Sequence, residues 1–204
     1  GFGVFAYQTG ETNYSTGQTS FAPTFMYNQQ VDYVTNSWTY LPVKYWPNAT
    51  DKISFFAYAP YGHANISGFA SNSTKSDPTF VFTVPEGVNN QVDLLYDNTN
   101  GLNRIQAGGQ INFTFNHALS RIGFKVNTNV AGNKVTVNTI TVSGLFVNSA
   151  TFNLASGSFT DPTASATEYH LGYTEQNVTG HATNYSEISA NEGYIMIIPK
   201  NFGT

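Results

Sequence analysis

Residues Trp38 to Tyr61 read WTYLPVKYWPNATDKISFFAYAPY, and they decide the fold. In the second half, Ile53, Phe55, Ala57 and Ala59 fall on one face of an extended segment and Phe56 and Tyr58 on the other. Neither face is polar, so this strand belongs inside a sheet packed on both sides. The first half, Trp38 to Trp46, carries Pro42 and stops at Pro47. Proline has no amide to give to a ladder, which sends this half to a sheet edge or a bulge. The intervening Pro47-Asn48-Ala49-Thr50-Asp51-Lys52 has the chemistry of a turn.

Outward from this pair the chain reads as a succession of short strands. Gly1 to Gln8 sets Phe2, Val4 and Ala6 against Phe5 and Tyr7, a second interior strand. Phe25 to Val31, Thr79 to Val84 and Gln91 to Tyr96 follow, with polar loops at Thr9 to Ser20 and Gly62 to Ser76. Asp97 to Gln110 (DNTNGLNRIQAGGQ) is rich in Asn and Gly without periodicity and is expected to link two domains, 1–104 and 105–204, with a boundary near 150 as the alternative. Beyond it, Ile111, Phe113 and Phe115 alternate with polar residues. Ile122, Phe124 and Val126 take the opposite parity, which implies a bulge or bend between them. Val135 and Val137 against Ile140 and Val142 shift in the same way at Asn138-Thr139. Phe152 to Leu154, Tyr169 to Tyr173 and Tyr194 to Ile198 complete the strands, while Asp161 to Ala166 and Glu175 to Asn191 read as loops. No long helical period and no internal repeat is present. The fold class is all-β.

Composition agrees. Only 10% of the 204 residues are charged and 15% are aromatic, with 13 Tyr and 16 Phe, a balance that favours strands over helices. The net charge of -4 and the scattering of 8 Lys and Arg exclude a basic face for nucleic acid or an anionic membrane surface. The chain has no cysteine, so disulfides, thiol catalysis and thiolate metal sites are excluded. No apolar run reaches the ~18 residues of a membrane span. Seven Asn-x-Ser/Thr triplets, at Asn13, Asn48, Asn65, Asn72, Asn112, Asn177 and Asn184, are what so Asn-, Ser- and Thr-rich a chain produces by chance.

Motifs of catalysis and metal binding fail in turn. His63, His117, His170 and His181 have no metal-ligand spacing. Asp97 to Gly101 departs from a calcium loop, since its glycine comes one position early and position 12 is Gly108 rather than Glu. No nucleophile elbow, P-loop or dinucleotide fingerprint occurs, and no pair among the 12 acids stands out as a glycosidase pair. The expectation is a protein without catalysis, cofactor or metal. Trp38, Tyr40, Tyr45, Trp46 and Tyr61 read first as packing within the N-terminal sheet, with Trp46 mostly buried; the same five are the candidates for a sugar-stacking platform if they are instead exposed, Trp38, Tyr45 and Trp46 foremost.

The string Trp38-Thr39-Tyr40-x-Pro42-x-Lys44-Tyr45-Trp46-Pro47, followed by Ile53 to Tyr61, resembles the signature of the fimbrillin-like (Mfa-like) family of Gram-negative gut and oral bacteria. Phe2 to Tyr7 (FGVFAY), Val92 to Tyr96 (VDLLY), Phe115 to Val126 (FNHALSRIGFKV) and Ile195 to Asn201 (IMIIPKN) extend the likeness, in order, over nearly the whole chain. The resemblance implies two tandem transthyretin-like β-sandwiches, the second apparently incomplete because the family continues past the last string whereas this chain stops at Thr204. It implies an exported outer-membrane lipoprotein precursor, its lipidated segment removed ahead of Gly1. It further implies a structural subunit of cell-surface fimbriae, whose partners are other pilin subunits joined by β-strand exchange: proteolysis removes an N-terminal strand and a neighbour's strand fills the groove. A fimbrial tip adhesin, or a surface protein that binds host or bacterial glycans, is the alternative on the same scaffold.

Overall fold

The computed structural model describes residues 1–132, 135–178, 180–181, 183–188 and 193–200, without the side chains of 173–177. The strands in chain order are β1 (Phe2–Gly10), β2 (Met26–Val34), β3 (Ser37–Thr39), β4 (Lys52–Ala59), β5 (Ile66–Ser67), β6 (Thr79–Thr83) and β7 (Leu95–Leu102). They continue as β8 (Asn116–His117), β9 (Ser120–Ile122), β10 (Lys125–Val126), β11 (Val135–Asn153), β12 (Ser158–Val178), β13 (Ser186–Glu187) and β14 (Ile195–Ile197). A single helical turn, α1, covers Arg104–Ala107. The all-β expectation holds. The end of the IMIIPKN string and the chain end at Thr204 lie outside the described residues.

Two compact units form, neither a continuous stretch of chain. Unit 1 takes Gly1–Phe82, Asp93–Ala118 and Ala150–Asp161; unit 2 takes Thr83–Val92, Leu119–Ser149 and Pro162–Thr204.

Unit 1 is built on an antiparallel sheet in the order β3-β2-β1-β4-β7-β8. Its centre is β1 against β4, in register Phe5 opposite Phe56 and Val4 opposite Ala57. These two strands are the segments with apolar residues on both faces, and both are buried along nearly their whole length. One face carries Phe2, Val4, Ala6, Met26, Val31, Ile53, Phe55 and Ala57. The other carries Phe5, Tyr7, Phe56 and Tyr58, and onto it pack Tyr14, Phe69 and Phe80, with Phe152 against Phe80 in turn. Strand β1 passes so close to the Tyr58 ring that a Cβ on Gly3 would lie 2.3 Å from it. Only glycine fits at that crossing.

Several elements differ from the sequence expectation. Asp97 to Gln110, expected to be without regular structure, is not so: its first six residues belong to β7, paired with β4 as Phe56 opposite Asn98 and Ala57 opposite Asp97, and α1 follows. Its Asn and Gly residues are held by ladder bonds and by local ones. The Asn98 amide donates to the Leu154 carbonyl at 3.3 Å, and the Gly101 N–H donates to the Ser54 hydroxyl at 2.8 Å. Ile111 to Phe115, expected as a strand, is irregular chain that plants Ile111, Phe113 and Phe115 on the sheet. Asp161 to Ala166, expected as a loop, lies within β12, and the expected loop Glu175 to Asn191 gives its first four residues to β12 and Ser186–Glu187 to β13. The expected break after Asn116 is present, since β8, β9 and β10 are separate short pieces.

Tyr14, Asp77 and Asn153 tie unit 1 together beneath its inner face. The buried Asp77 carboxylate accepts from the Tyr14 hydroxyl at 2.6 Å, the Gly17 N–H at 2.8 Å and the Asn153 amide at 2.9 Å. Burial pushes the phenols of Tyr7 and Tyr14 well above their ordinary range, and the negative Asp77 adds to the effect on both. Burial raises Tyr58 too, although its hydroxyl also donates to Asn28 at 2.6 Å. An unfolded tyrosine ionises near pH 10 and these folded ones above it, so folding favours the protonated phenol; stability is unaffected below about pH 10 and is lost as pH rises beyond it. Each such tyrosine contributes a loss of about 1.4 kcal/mol per pH unit in that window. Tyrosinate absorbance followed together with circular dichroism is expected to show these phenols ionising only as unit 1 unfolds; ionisation of all 13 tyrosines before any loss of structure contradicts this.

In unit 2, β9 pairs antiparallel with β14 and β10 with β13. Phe146, Val147, Tyr169, Leu171, Ile188, Ile195, Ile197 and Ile198 are buried there. Phe146 and Tyr169 meet edge to face at 5.0 Å. Strands β11 and β12 are ladder neighbours. Residues 135–149 of β11 and 162–178 of β12 belong to unit 2.

Candidate functional site: an aromatic cleft on unit 1

The outer face of the unit 1 sheet is covered by two stretches of irregular chain rather than by a second sheet. Residues 40–51 follow the edge strand β3, and residues 103–115 follow β7. Pro42 and Pro47 keep the first stretch out of any ladder. The Asn48 side chain closes its turn, accepting from the Thr50 and Asp51 amides at 2.9 and 2.7 Å, and the Gln29 amide holds the Leu41 carbonyl at 3.0 Å. The second stretch begins with a capping box: the Gln106 N–H donates to the Asn103 side chain at 2.9 Å, and the Asn103 N–H donates to the Gln106 side chain at 3.0 Å. The Thr114 N–H then donates to the Asp97 carboxylate at 2.6 Å.

Between these stretches lies an open cleft of about 1110 Å³. Its floor includes the buried Phe2, Val4, Met26, Val31 and Phe55. Trp38 meets Phe2 at 5.0 Å and Tyr33 at 5.2 Å, Trp46 meets Phe55 edge to face at 6.1 Å, and Phe113 and Phe115 both close on Phe2. The sequence candidates therefore come together in one place, since Trp38, Tyr45 and Trp46 all line the cleft. They are not equally buried. Trp46 is half-buried, whereas Trp38 is 56% exposed and Tyr45 81% exposed. Core packing thus describes Trp46 in part and fails for the other two. The reason is local: once the chain leaves the ladder after Thr39, residues 41–45 are all exposed to solvent. Tyr61, also considered for the platform, does not line the cleft.

Sequence reasoning missed two of the lining residues that matter most chemically. Lys44 and Arg104 supply one cation from each stretch, and no Asp or Glu lines the cleft. The nearby Asp32, opposite Thr39 across the β2–β3 ladder, accepts from the Gln30 amide at 2.7 Å. No spacing signal links positions 44 and 104; only the fold brings them to one concavity.

The histidines are dispersed. His117 pairs with Asp93, His170 lies between Glu168 at 3.6 Å and the Thr141 hydroxyl at 3.1 Å, and His181 sits 3.1 Å from the Thr128 carbonyl. Among the described residues no three His, Asp or Glu side chains gather as a metal site, and no helix is long and apolar enough to cross a membrane.

Comparison with known proteins gives consistent results. A family model described as fimbrillin-like matches residues 1–204. Fimbrium subunit Fim1C of Phocaeicola vulgatus is 34% identical over 161 residues, which is 71% of this chain and 41% of that protein. The chain therefore spans about two-fifths of the length of this curated relative. The crystal structure of a fimbrial protein from Bacteroides vulgatus superposes with a TM-score of 0.84 at 24% identity, covering 98% of this chain and 71% of that one. That of a putative cell adhesion protein from Bacteroides ovatus gives 0.51 at 17% identity, covering 98% and 67%. At those identities the two structures bear on the fold alone.

Proposed function

This chain belongs to the fimbrillin-like family, and from that premise we propose that it serves in a structural subunit of bacterial cell-surface fimbriae. Its partners in this reading are other pilin subunits, joined by exchange of a β-strand, and it performs no catalysis. The observation that carries the proposal is the family match over residues 1–204, supported by the 34% identity to a fimbrium subunit. The proposal includes two tandem transthyretin-like sandwiches, 1–104 and 105–204 or divided near 150. It also includes export through a lipidated precursor to the outer membrane surface.

The fold supplies a physical route. Among the described residues strand β12 is terminal in its ladder, and residues 160–166 are exposed. Further along, Thr167, Tyr169 and Leu171 turn inward while Glu168 and His170 face solvent. A terminal strand presents free N–H and C=O groups that an added strand satisfies, and side-chain pockets at alternate positions give the addition its register. The other terminal strands among the described residues, β3, β5, β8, β9, β10, β13 and β14, are two or three residues long, so we assign subunit addition to β12.

The test is assembly itself. Subunits whose precursor segment has been trimmed by protease are expected to run as a ladder of multiples that survives detergent. A strictly monomeric product under the same conditions contradicts the proposal. The exposed aromatic cleft favours a second reading, a fimbrial tip adhesin or carbohydrate-binding surface protein.

A further inference from the structure

The cleft on unit 1 has a chemistry that subunit assembly does not use. Trp38 and Tyr45 stand exposed at its sides, and neither the indole N–H nor the phenol hydroxyl has a hydrogen-bond partner among the described residues. Lys44 and Arg104 are exposed and likewise have no hydrogen-bond or ion-pair partner among the described residues. The chain as a whole carries 12 acids against 8 Lys and Arg, yet the cleft is lined by two cations and no carboxylate. The local sign is opposite to that of the molecule. Amides complete the rim, with Asn36 on one side and, on the other, Gln110, whose amide donates to the Asn112 side-chain oxygen at 3.0 Å.

We propose that this cleft binds an acidic oligosaccharide. A pyranose ring has an apolar C–H face and a rim of hydroxyls. The face lies on an aromatic ring whose polar tip stays wet, and the hydroxyls reach side-chain amides. The carboxylate or sulfate of an acidic sugar is taken by Lys44 and by the Arg104 guanidinium, whose fork matches a planar oxyanion. A fatty acid would also satisfy the cations, but the cleft is open and its apolar floor is already covered by Phe113, Phe115 and Trp46. An acyl tail there would stay in contact with water and gain little from burial. The inference rests on the cleft and not on β12, so it stands or falls separately from assembly.

Both tryptophans of the chain, Trp38 and Trp46, line the cleft, so intrinsic tryptophan fluorescence reports occupancy directly. The full chain is titrated with galacturonic acid trisaccharide, with a sulfated galactose trisaccharide and with the neutral galactose trisaccharide. A saturable change is expected with an acidic sugar, and binding of the neutral one is expected to be at least about tenfold weaker, as loss of charge-assisted hydrogen bonds to two cations requires. Tighter binding of the uronate identifies a carboxylate as the recognised group, and tighter binding of the sulfated sugar identifies a sulfate; either supports the proposal. The double variant Lys44→Gln, Arg104→Gln is expected to keep its melting temperature and lose the preference. Tyr45→Ala is expected to weaken acidic and neutral sugars alike. The proposal is overturned if no sugar changes the fluorescence, if neutral and acidic sugars bind equally, or if the preference survives in the double variant. It is also overturned if the sugar-free chain is a dimer whose dissociation produces the same fluorescence change, because the cleft is then filled by a second copy.

Discussion

Phe56→Ala is expected to cost unit 1 about 3–5 kcal/mol, the range for removing a buried phenylalanine. Phe56 is fully buried at the centre of β4, with Tyr14 at 4.9 Å and Tyr7 at 5.5 Å between ring centroids. Truncation leaves a void between a strand paired on both sides and rings that are themselves anchored by hydrogen bonds. Tyr7 donates to the Ser76 carbonyl at 3.0 Å and Tyr14 to Asp77 at 2.6 Å. Neither ring can collapse into the space without breaking its bond, which places the cost toward the upper end. Since domains are stable by only about 5–15 kcal/mol, most of the stability of unit 1 is at stake. Urea unfolding followed by tyrosine fluorescence measures it. A midpoint shifted by less than the equivalent of about 1 kcal/mol would show that the site relaxes freely and that the centre of the sheet is misplaced.

Asp77→Ala is the second large effect. The carboxylate accepts from a hydroxyl, a backbone N–H and an amide that come from Tyr14, Gly17 and Asn153. Removing it leaves three donors without their partner beneath the sheet. At about 1–3 kcal/mol for each one that water does not reach, the loss is expected to be about 3 kcal/mol or more. Asp77→Asn keeps one acceptor oxygen and should lose less. In a double-mutant cycle, Tyr14→Phe should cost less in the Asp77→Ala background than in the parent, because the hydroxyl no longer has a bond to lose. Strict additivity of the two changes would mean that the network does not act as one unit.

The centre of this fold was legible because its strands announce themselves. β1 and β4 are apolar on both faces, and a segment of that kind has nowhere to go but the middle of a sheet. Pro42 and Pro47 were equally informative, since they put the Trp38 segment at the edge, where β3 is found. What escaped was decided by partners distant in sequence. β7 has the composition of a loop, but it lies against β4, and a central strand supplies hydrogen bonds to any neighbour whose backbone can extend. Ile111, Phe113 and Phe115 have the alternation of a strand and serve a different end, setting three side chains on a sheet face without joining a ladder. The candidate site was half legible. Trp38, Tyr45 and Trp46 were identifiable as an aromatic set, whereas their exposure depended on where the chain leaves the ladder. The charge of the cleft was invisible, because Lys44 and Arg104 are separate residues with no pattern joining them.

The central claim is that this fimbrillin-like chain assembles by adding a strand to an open sheet edge. Hydrogen exchange of the backbone amides of 162–172, compared between the monomer and assembled fimbriae, tests it most directly. The outward-facing N–H groups of β12 have no partner strand among the described residues; in the monomer they should exchange fast, then become protected as an added strand takes them up. Protection confined to other surfaces, with β12 exchanging at the same rate in fimbriae as in the monomer, would contradict the account.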